Sequence, residues 1–200
     1  MGTRSNIYLK LDNKSCGKAN KFHITKLGGS YRKNKSMLLY PIEDVAIPVN
    51  ARYMHVYHQF DGHIYSLGKE LAKNYNTYDK VLNLLTMGDF QTIMFGYKKG
   101  KTCVESRQGT HGMCTPPKFL YDETKFRVGK RDEKGHLYYE NVPFLENGEL
   151  PANHAIREAY AYYFDGEKWF VSWYESVKGG SSVFHDWVEL KSAIKKYRKQ

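Results

Sequence analysis

Two stretches of the chain alternate between apolar and polar residues in the manner of half-buried strands. The first covers residues 6–11 and is ended by the polar pair Asp12-Asn13. The second covers residues 53–60 and is followed by a turn at Asp61-Gly62. Its alternation places His58 on the same face as the apolar residues Met54, Val56 and Phe60.

A third pattern predicts a β-hairpin near the end of the chain. Residues 160–164 and 169–174 are both rich in aromatic residues, and they are separated by Asp165-Gly166-Glu167-Lys168. Asp-Gly between two such runs is a strong hairpin signal. The exposed rings of this hairpin would offer platforms on which nucleic-acid bases stack, whereas ordinary packing within a sheet is the alternative. The candidate platforms are Tyr163, Phe170 and Trp173.

Apolar residues at helical spacing predict three helices. Ser66 is placed to cap the first, and either Thr77 or Asp79 caps a short second helix that Gly88 ends. The third helix is expected to begin near Asp186. Its inward residues would be Trp187, Leu190, Ile194 and Tyr197.

These elements predict an α+β fold, in which an antiparallel sheet is covered by two or three helices. The chain has 200 residues, of which 41% are hydrophobic and 26% charged, and this is typical of a globular protein. We expect residues 1–200 to form a single domain with a basic loop insertion at about residues 14–50.

Positive charge is concentrated near the start of the chain. The formal net charge is +10, and residues 1–40 hold nine Lys and Arg residues against the single carboxylate of Asp12. Clustered cations release counterions from a phosphate backbone, so nucleic acid or a nucleotide is the expected partner. A solvated basic loop without a partner is the alternative. The candidate nucleic-acid-binding residues are Lys14, Lys18, Lys21, Lys26, Arg32, Lys33 and Lys35.

The cysteines and the absence of long apolar runs predict a cytoplasmic protein with reduced thiols and no membrane partner. The three cysteines, Cys16, Cys103 and Cys114, make an odd number. Cys103, His111 and Cys114 could hold zinc or form a reactive thiol pair. They lack an evident fourth ligand and close Cys-x-x-Cys spacing, so ordinary loop thiols are favoured and no metal is expected.

Polar residues beside glycine turns form a candidate catalytic group. An imidazole can act as a base near neutral pH, a carboxylate can orient it, and an arginine can contact a phosphate. The alternative is structural: Asp61 caps a turn, Arg4 bridges to it, and His58 is a core histidine. A metal site at His58-x-x-Asp61-x-His63 matches no standard zinc spacing. The candidate catalytic residues are Arg4, His58, Asp61 and His63.

Several short blocks resemble an uncharacterised family of small proteins carried by bacteriophages and mobile elements. The blocks are Gly2-Thr3-Arg4-Ser5, His58-x-Phe60-Asp61-Gly62, Gly68-x-x-Leu71, Leu84-Leu85-x-x-Gly88-Asp89-Phe90 and Tyr160-Ala161-Tyr162-x-x-Asp165-Gly166-x-x-Trp169. Members open with Gly-Thr-Arg-Ser and carry a His-x-(Trp/Phe)-Asp-Gly motif. This chain has Phe60 where Trp is usual, and His63-Ile64 where Tyr-Pro is usual. The resemblance implies a phage context and the host-cell cytoplasm, but it brings no established activity.

The sequence leaves three functions open. The first is a phage-encoded basic protein that binds nucleic acid or a phosphate-rich nucleotide and interferes with a host process. The second is a small hydrolase or nuclease that uses Arg4, His58 and Asp61. The third is a protein-interaction module that targets an acidic host protein. No phosphate-binding glycine loop, Gly-x-Ser-x-Gly elbow or dinucleotide fingerprint is present in the sequence, and no cofactor is indicated.

Overall fold

A computed structural model describes residues 3–17, 19–23, 42–58, 62–86, 92–94, 103–105, 117–151, 159–176 and 182–197. Within these ranges the chain forms twelve strands and three α-helices. The strands are β1 (Ser5–Lys10), β2 (Ala19–His23), β3 (Ile42–Ala46), β4 (Tyr53–His58), β5 (Thr92–Met94), β6 (Cys103–Glu105), β7 (Lys118–Leu120), β8 (Lys125–Arg131), β9 (Leu137–Pro143), β10 (Tyr160–Phe164), β11 (Trp169–Ser176) and β12 (Ser182–Glu189). The helices are α1 (Lys69–Asn74), α2 (Tyr78–Leu85) and α3 (Leu190–Tyr197), and a π-helical turn at Ile64–Gly68 leads directly into α1.

Six strands form the central sheet in the order β12-β11-β10-β1-β4-β7. Four of the five neighbouring pairs are antiparallel, and β1 with β10 is the parallel pair. The predicted antiparallel sheet of an α+β fold is therefore confirmed in broad terms, but one of its five strand pairs is parallel. A parallel pair needs a long crossover connection, and most of the chain lies between β1 and β10.

Alternation in β1 explains why this strand lies inside the sheet. Ile7 and Leu9 are fully buried on one face, and Tyr8 is buried on the other. The first face shares a buried cluster with apolar residues of the helices, including Leu71, Val81 and Leu190. Full burial of such a side chain stabilises the fold by about 1.5–3 kcal/mol, so these contacts fix the register of β1 against its neighbours. The second face packs against Leu145 and Leu150 of the segment before β10; the whole second cluster is Tyr8, Tyr53, Leu120, Leu145, Leu150 and Ala161.

The predicted hairpin is confirmed, because β10 and β11 pair antiparallel with Phe164 opposite Trp169. Gly166 adopts a positive φ of 114° in the turn, a conformation that favours glycine. Asp165 Oδ1 accepts hydrogen bonds from the backbone N–H groups of Glu167 and Lys168. These two bonds are the reason that Asp-Gly is suited to this turn.

The first two helical segments occur where the spacing predicts them, with one difference at the first start. Helix α2 follows Thr77, one of the two residues predicted to cap it, but the Thr77 side chain forms no capping hydrogen bond. The first segment begins earlier than Ser66, with the π-helical turn at Ile64. His63 caps this turn, because its Nδ1 accepts a hydrogen bond from the backbone N–H of Tyr65 at 3.1 Å.

The prediction of a helix from Asp186 is wrong for residues 186–189, which belong to strand β12. This strand pairs with β11, and Val188 lies opposite Val171. Trp187 Nε1 also donates a hydrogen bond to the Leu150 carbonyl. Tertiary pairing therefore overrides the apolar spacing, and the helix begins at Leu190.

The predicted basic insertion at residues 14–50 contains a small antiparallel pair, β2 with β3. Lys21, one of the candidate nucleic-acid-binding residues, lies on β2 at the register position opposite Asp44 of β3. Lys14 is exposed. The other five candidates, Lys18, Lys26, Arg32, Lys33 and Lys35, lie outside the described residues. Across the described part of the chain, no helix is both long enough and apolar enough to span a membrane.

Candidate nucleic-acid interface

Of the four predicted catalytic residues, His58 contacts Ser5, a residue that was not among them. These two residues are opposite each other on β1 and β4, and Ser5 Oγ lies 3.3 Å from His58 Nδ1. Their exposed fractions are 0% and 1%. Arg4 is exposed, and Asp61 lies outside the described residues. The pair is therefore a buried hydrogen bond between neighbouring strands.

Gly62 closes the space above this pair. Its backbone N–H donates a hydrogen bond to the Thr3 carbonyl at 2.8 Å, and its own carbonyl accepts one from the Tyr162 hydroxyl at 2.7 Å. A Cβ atom added to Gly62 would lie 2.8 Å from Ser5 Oγ, which is closer than real Cβ contacts. The backbone of Gly62 is therefore packed closely against Ser5.

Burial also governs the charge of His58. Loss of solvation lowers its pKa from 6.5 to about 3, so the imidazole is neutral at physiological pH. His55, on the other face of the sheet, has its pKa lowered to about 3 by burial and, to a smaller extent, by Lys118. The sequence-based expectation that His58 shares a face with apolar residues is confirmed, since it lies in line with Val56 and Met54.

His63 lies apart from the Ser5–His58 hydrogen bond, at the start of the π-helical turn. It is half-buried, and its ring packs edge-on against Tyr160 with centroids 5.2 Å apart. Because Nδ1 accepts the hydrogen bond from Tyr65, the ring proton of the neutral form belongs on Nε2. Burial lowers the pKa of His63. Capping and ring packing thus account for the conformation of this residue.

The polar residues at this end of the sheet form one row across five strands. His58, Ser5, Tyr160, Trp173 and His185 are cross-strand neighbours in that order. All except His185 are buried, and the rings of Trp173 and His185 stack with centroids 4.2 Å apart. The row is a layer of core packing that carries polar atoms.

The rings predicted as stacking platforms also make contacts within the fold. Tyr163 stacks on Phe170 with centroids 4.9 Å apart, and Trp187 packs edge-on against Tyr163 at 5.0 Å. Trp173 is only 7% exposed. Packing in the sheet is the interpretation that these contacts support.

The described residues contain no group of three His, Cys, Asp or Glu side chains arranged to hold a metal ion. Cys16 is a free, partly buried thiol whose pKa is raised by burial and by Asp12. Cys103 lies on β6, whereas His111 and Cys114 are outside the described residues.

A different surface combines exposed cations with exposed aromatic area: the hairpin of β8 and β9, which we call the ribbon. Its two strands pair antiparallel over seven residues each, from Lys125 opposite Pro143 to Arg131 opposite Leu137. Alternation divides the ribbon into two faces. We call one the outer face; its eight residues are Lys125, Arg127, Gly129, Arg131, Leu137, Tyr139, Asn141 and Pro143, and all eight are exposed.

The outer face carries three cations and no carboxylate. The opposite, inner face differs in both respects. Phe126 on the inner face packs edge-on against Phe144 with centroids 5.1 Å apart, and Lys130 forms an ion pair with Glu140. The inner face is therefore turned toward the body of the protein near its base and has its charge balanced, whereas the outer face presents net positive charge to solvent.

Aromatic and apolar area lies directly beside the cations of the outer face. The Arg127 guanidinium lies 3.9 Å from the centroid of the Tyr139 ring, a cation–π contact. Gly129 lies opposite Tyr139 in the register, and a Cβ atom there would be 3.5 Å from the ring and 3.4 Å from Leu137. Tyr139 and Leu137 remain 54% and 55% exposed. This arrangement can bind an anionic partner that also has flat or apolar parts.

The tip of the ribbon is held by hydrogen bonds to Asp132. Its Oδ1 atom accepts from the backbone N–H groups of Lys134 and His136 at 2.9 and 2.7 Å. Arg131 Nη1 donates to the Gly135 carbonyl at 2.8 Å, and Gly135 has a positive φ of 83°. The turn therefore fixes the end of both strands.

The net charge of a chain segment does not reveal the ribbon. The signal is the spacing of two residues between Lys125 and Arg127, followed by Arg131 and a turn containing Asp132 and Gly135. Such alternation places cations on one face of a strand even where the local net charge is modest.

Comparison with protein-family models, with curated proteins and with solved structures gives no match for this chain. The resemblance to phage-encoded proteins therefore stays a prediction.

Proposed function

We propose that this protein binds nucleic acid, and that the outer face of the ribbon is part of the contact surface. The observation that carries the proposal is the eight-residue face with Lys125, Arg127 and Arg131, exposed Tyr139, and no carboxylate. Nucleic acid matches this combination because it joins a regular array of negative charge to flat aromatic bases.

The overall charge supports the same partner. A formal net charge of +10 favours association with a polyanion, and release of counterions makes that association depend on salt. The predicted residues Lys14, Lys18, Lys21, Lys26, Arg32, Lys33 and Lys35 remain candidates for further phosphate contacts.

The buried Ser5–His58 hydrogen bond weighs against the enzyme hypothesis. A general base must reach its substrate, yet His58 is 1% exposed and Gly62 lies over the Ser5 hydroxyl. Binding without catalysis is therefore the function that we favour.

The test is the salt dependence of binding, measured by fluorescence anisotropy with labelled single-stranded and double-stranded oligonucleotides between ~50 and ~200 mM salt. The variant Lys125→Gln/Arg127→Gln/Arg131→Gln should bind more weakly, and the slope of log affinity against log salt should fall in magnitude by roughly two to three.

Two control variants distinguish the effect of the outer face on binding from the effect of overall charge. Lys80→Gln/Lys168→Gln/Lys195→Gln removes the same charge from exposed positions on other elements. Lys130→Gln removes a cation from the inner face. Both should bind more tightly than the outer-face variant. The proposal is wrong if the unaltered protein binds none of the oligonucleotides at the lowest salt concentration.

A further inference from the structure

The two strands of the ribbon contribute different chemistry to the outer face. All three cations lie on β8, namely Lys125, Arg127 and Arg131. The outer-face positions of β9 carry no charge and supply Tyr139 and Leu137 beside Asn141 and Pro143. The face thus has a cationic edge and an aromatic, apolar edge that run side by side.

Because the cations lie on only one strand of the ribbon, the outer face is better suited to bind one phosphate backbone than two. A ribbon that enters a duplex groove lies between two phosphate-bearing strands, so cations on both of its strands would be favoured. Here only one edge is cationic. From Lys125 to Arg131 that edge extends roughly 20 Å at about 3.3 Å per residue, which is long enough for several consecutive phosphates.

The second edge provides a surface for unpaired bases. Arg127 contacts the Tyr139 ring and holds it beside the cationic edge, while 54% of the tyrosine stays exposed. Leu137 adds exposed apolar area two residues away on the same face. In a duplex the faces of the bases are stacked inside the helix, so only an unpaired base can stack on Tyr139.

We infer that the ligand of the outer face is single-stranded nucleic acid, with its phosphates along β8 and a base stacked on Tyr139. This inference rests on the proposed function, because it names the class of nucleic acid that the same surface binds. The contacts involve backbone charge and a base face, which all nucleotides share, so recognition would be largely independent of sequence.

The test compares single-stranded DNA, single-stranded RNA and blunt duplex DNA of equal length at one salt concentration. Tyr139→Leu should weaken binding of the single strands by roughly fivefold to a hundredfold, the range of one lost stacking contact. Tyr139→Phe should bind like the unaltered protein, because the ring is kept. The matched control is Tyr138→Leu, an exposed tyrosine of the inner face, which should leave affinity unchanged.

Two results would overturn the inference while leaving the proposed function intact. One is duplex DNA binding more tightly than single strands of the same length, and the other is Tyr139→Leu binding single strands as well as the unaltered protein does. If no oligonucleotide binds at low salt, the proposed function itself fails and the inference falls with it.

Discussion

Gly62 lies directly over Ser5, so that a single added methyl group would be 2.8 Å from Ser5 Oγ and 2.9 Å from Ser5 Cβ. The same methyl group would be 3.0 Å from the Thr3 carbonyl oxygen, which is backbone and cannot rotate away. The glycine of the Asp-Gly sequence is therefore required for packing.

We expect Gly62→Ala to destabilise the fold by about 1–3 kcal/mol, the usual cost of overpacking a buried site. Denaturation by urea would measure the loss. The matched control is Gly129→Ala on the exposed ribbon, where the new Cβ would be 3.4 Å from its nearest neighbour. Equal midpoints for the two variants would contradict this explanation.

Buried His58 and partly buried His55 predict a loss of stability in mild acid. His55 and His58 have folded pKa values of about 3, below the unfolded value of 6.5. Between these pH values the unfolded chain binds protons that the folded protein does not bind, so stability is complete above about pH 6.5 and falls as the pH is lowered. Each histidine should contribute up to about 1.4 kcal/mol per pH unit within this window.

Urea denaturation at a series of pH values from neutral to mildly acidic would measure this slope. His58→Gln changes the absolute stability but should also reduce the pH slope, because one titrating group is removed. A variant that lowers stability by the same amount at every pH would show that the pKa of His58 is the same in the folded and unfolded states, which contradicts this explanation.

Local pattern was sufficient to predict the elements that depend on neighbours in sequence. Strands β1 and β4, the β10–β11 hairpin and helix α2 follow from alternation, a turn at Asp165-Gly166 and helical spacing. The burial of His58 was also predictable, because it continues the apolar face of β4.

Elements that depend on distant residues were not predictable in this way. Residues 186–189 have helical apolar spacing but pair with β11, and β1 finds its parallel partner β10 across most of the chain. The candidate interface was missed for a related reason. Arg127 and Tyr139 come together only when the ribbon pairs, and neither strand is notable alone.

Glu149 joins two kinds of interaction that should differ in strength. Its Oε1 accepts from Lys10 Nζ at 2.6 Å in an exposed ion pair, and its Oε2 accepts from the buried Tyr53 hydroxyl at 2.6 Å. Exposed ion pairs contribute about 0–1 kcal/mol, whereas leaving a buried hydroxyl without its acceptor costs about 1–3 kcal/mol.

We therefore expect Glu149→Ala to destabilise the protein more than Lys10→Ala does. Glu149→Gln should be intermediate, because its amide oxygen still accepts from Tyr53. A double-mutant cycle with Tyr53→Phe, followed by urea denaturation, would isolate the coupling between the two side chains. Additive effects of Tyr53→Phe and Glu149→Ala would show that the hydrogen bond contributes nothing to stability.

The tip of the ribbon allows a prediction about local order. Asp132 accepts two backbone hydrogen bonds in the turn. Its neighbour Glu133 is exposed, and Glu133→Ala is the matched control because it removes the same charge. Asp132→Ala should speed amide hydrogen exchange at Lys134 and His136, because both N–H groups lose their acceptor. Glu133→Ala should leave their exchange unchanged.

The same two variants also test whether the turn supports binding. Loss of a carboxylate alone would strengthen binding to a polyanion. If Asp132→Ala instead weakens single-strand binding more than Glu133→Ala does, the turn fixes the strands that carry Arg127 and Tyr139.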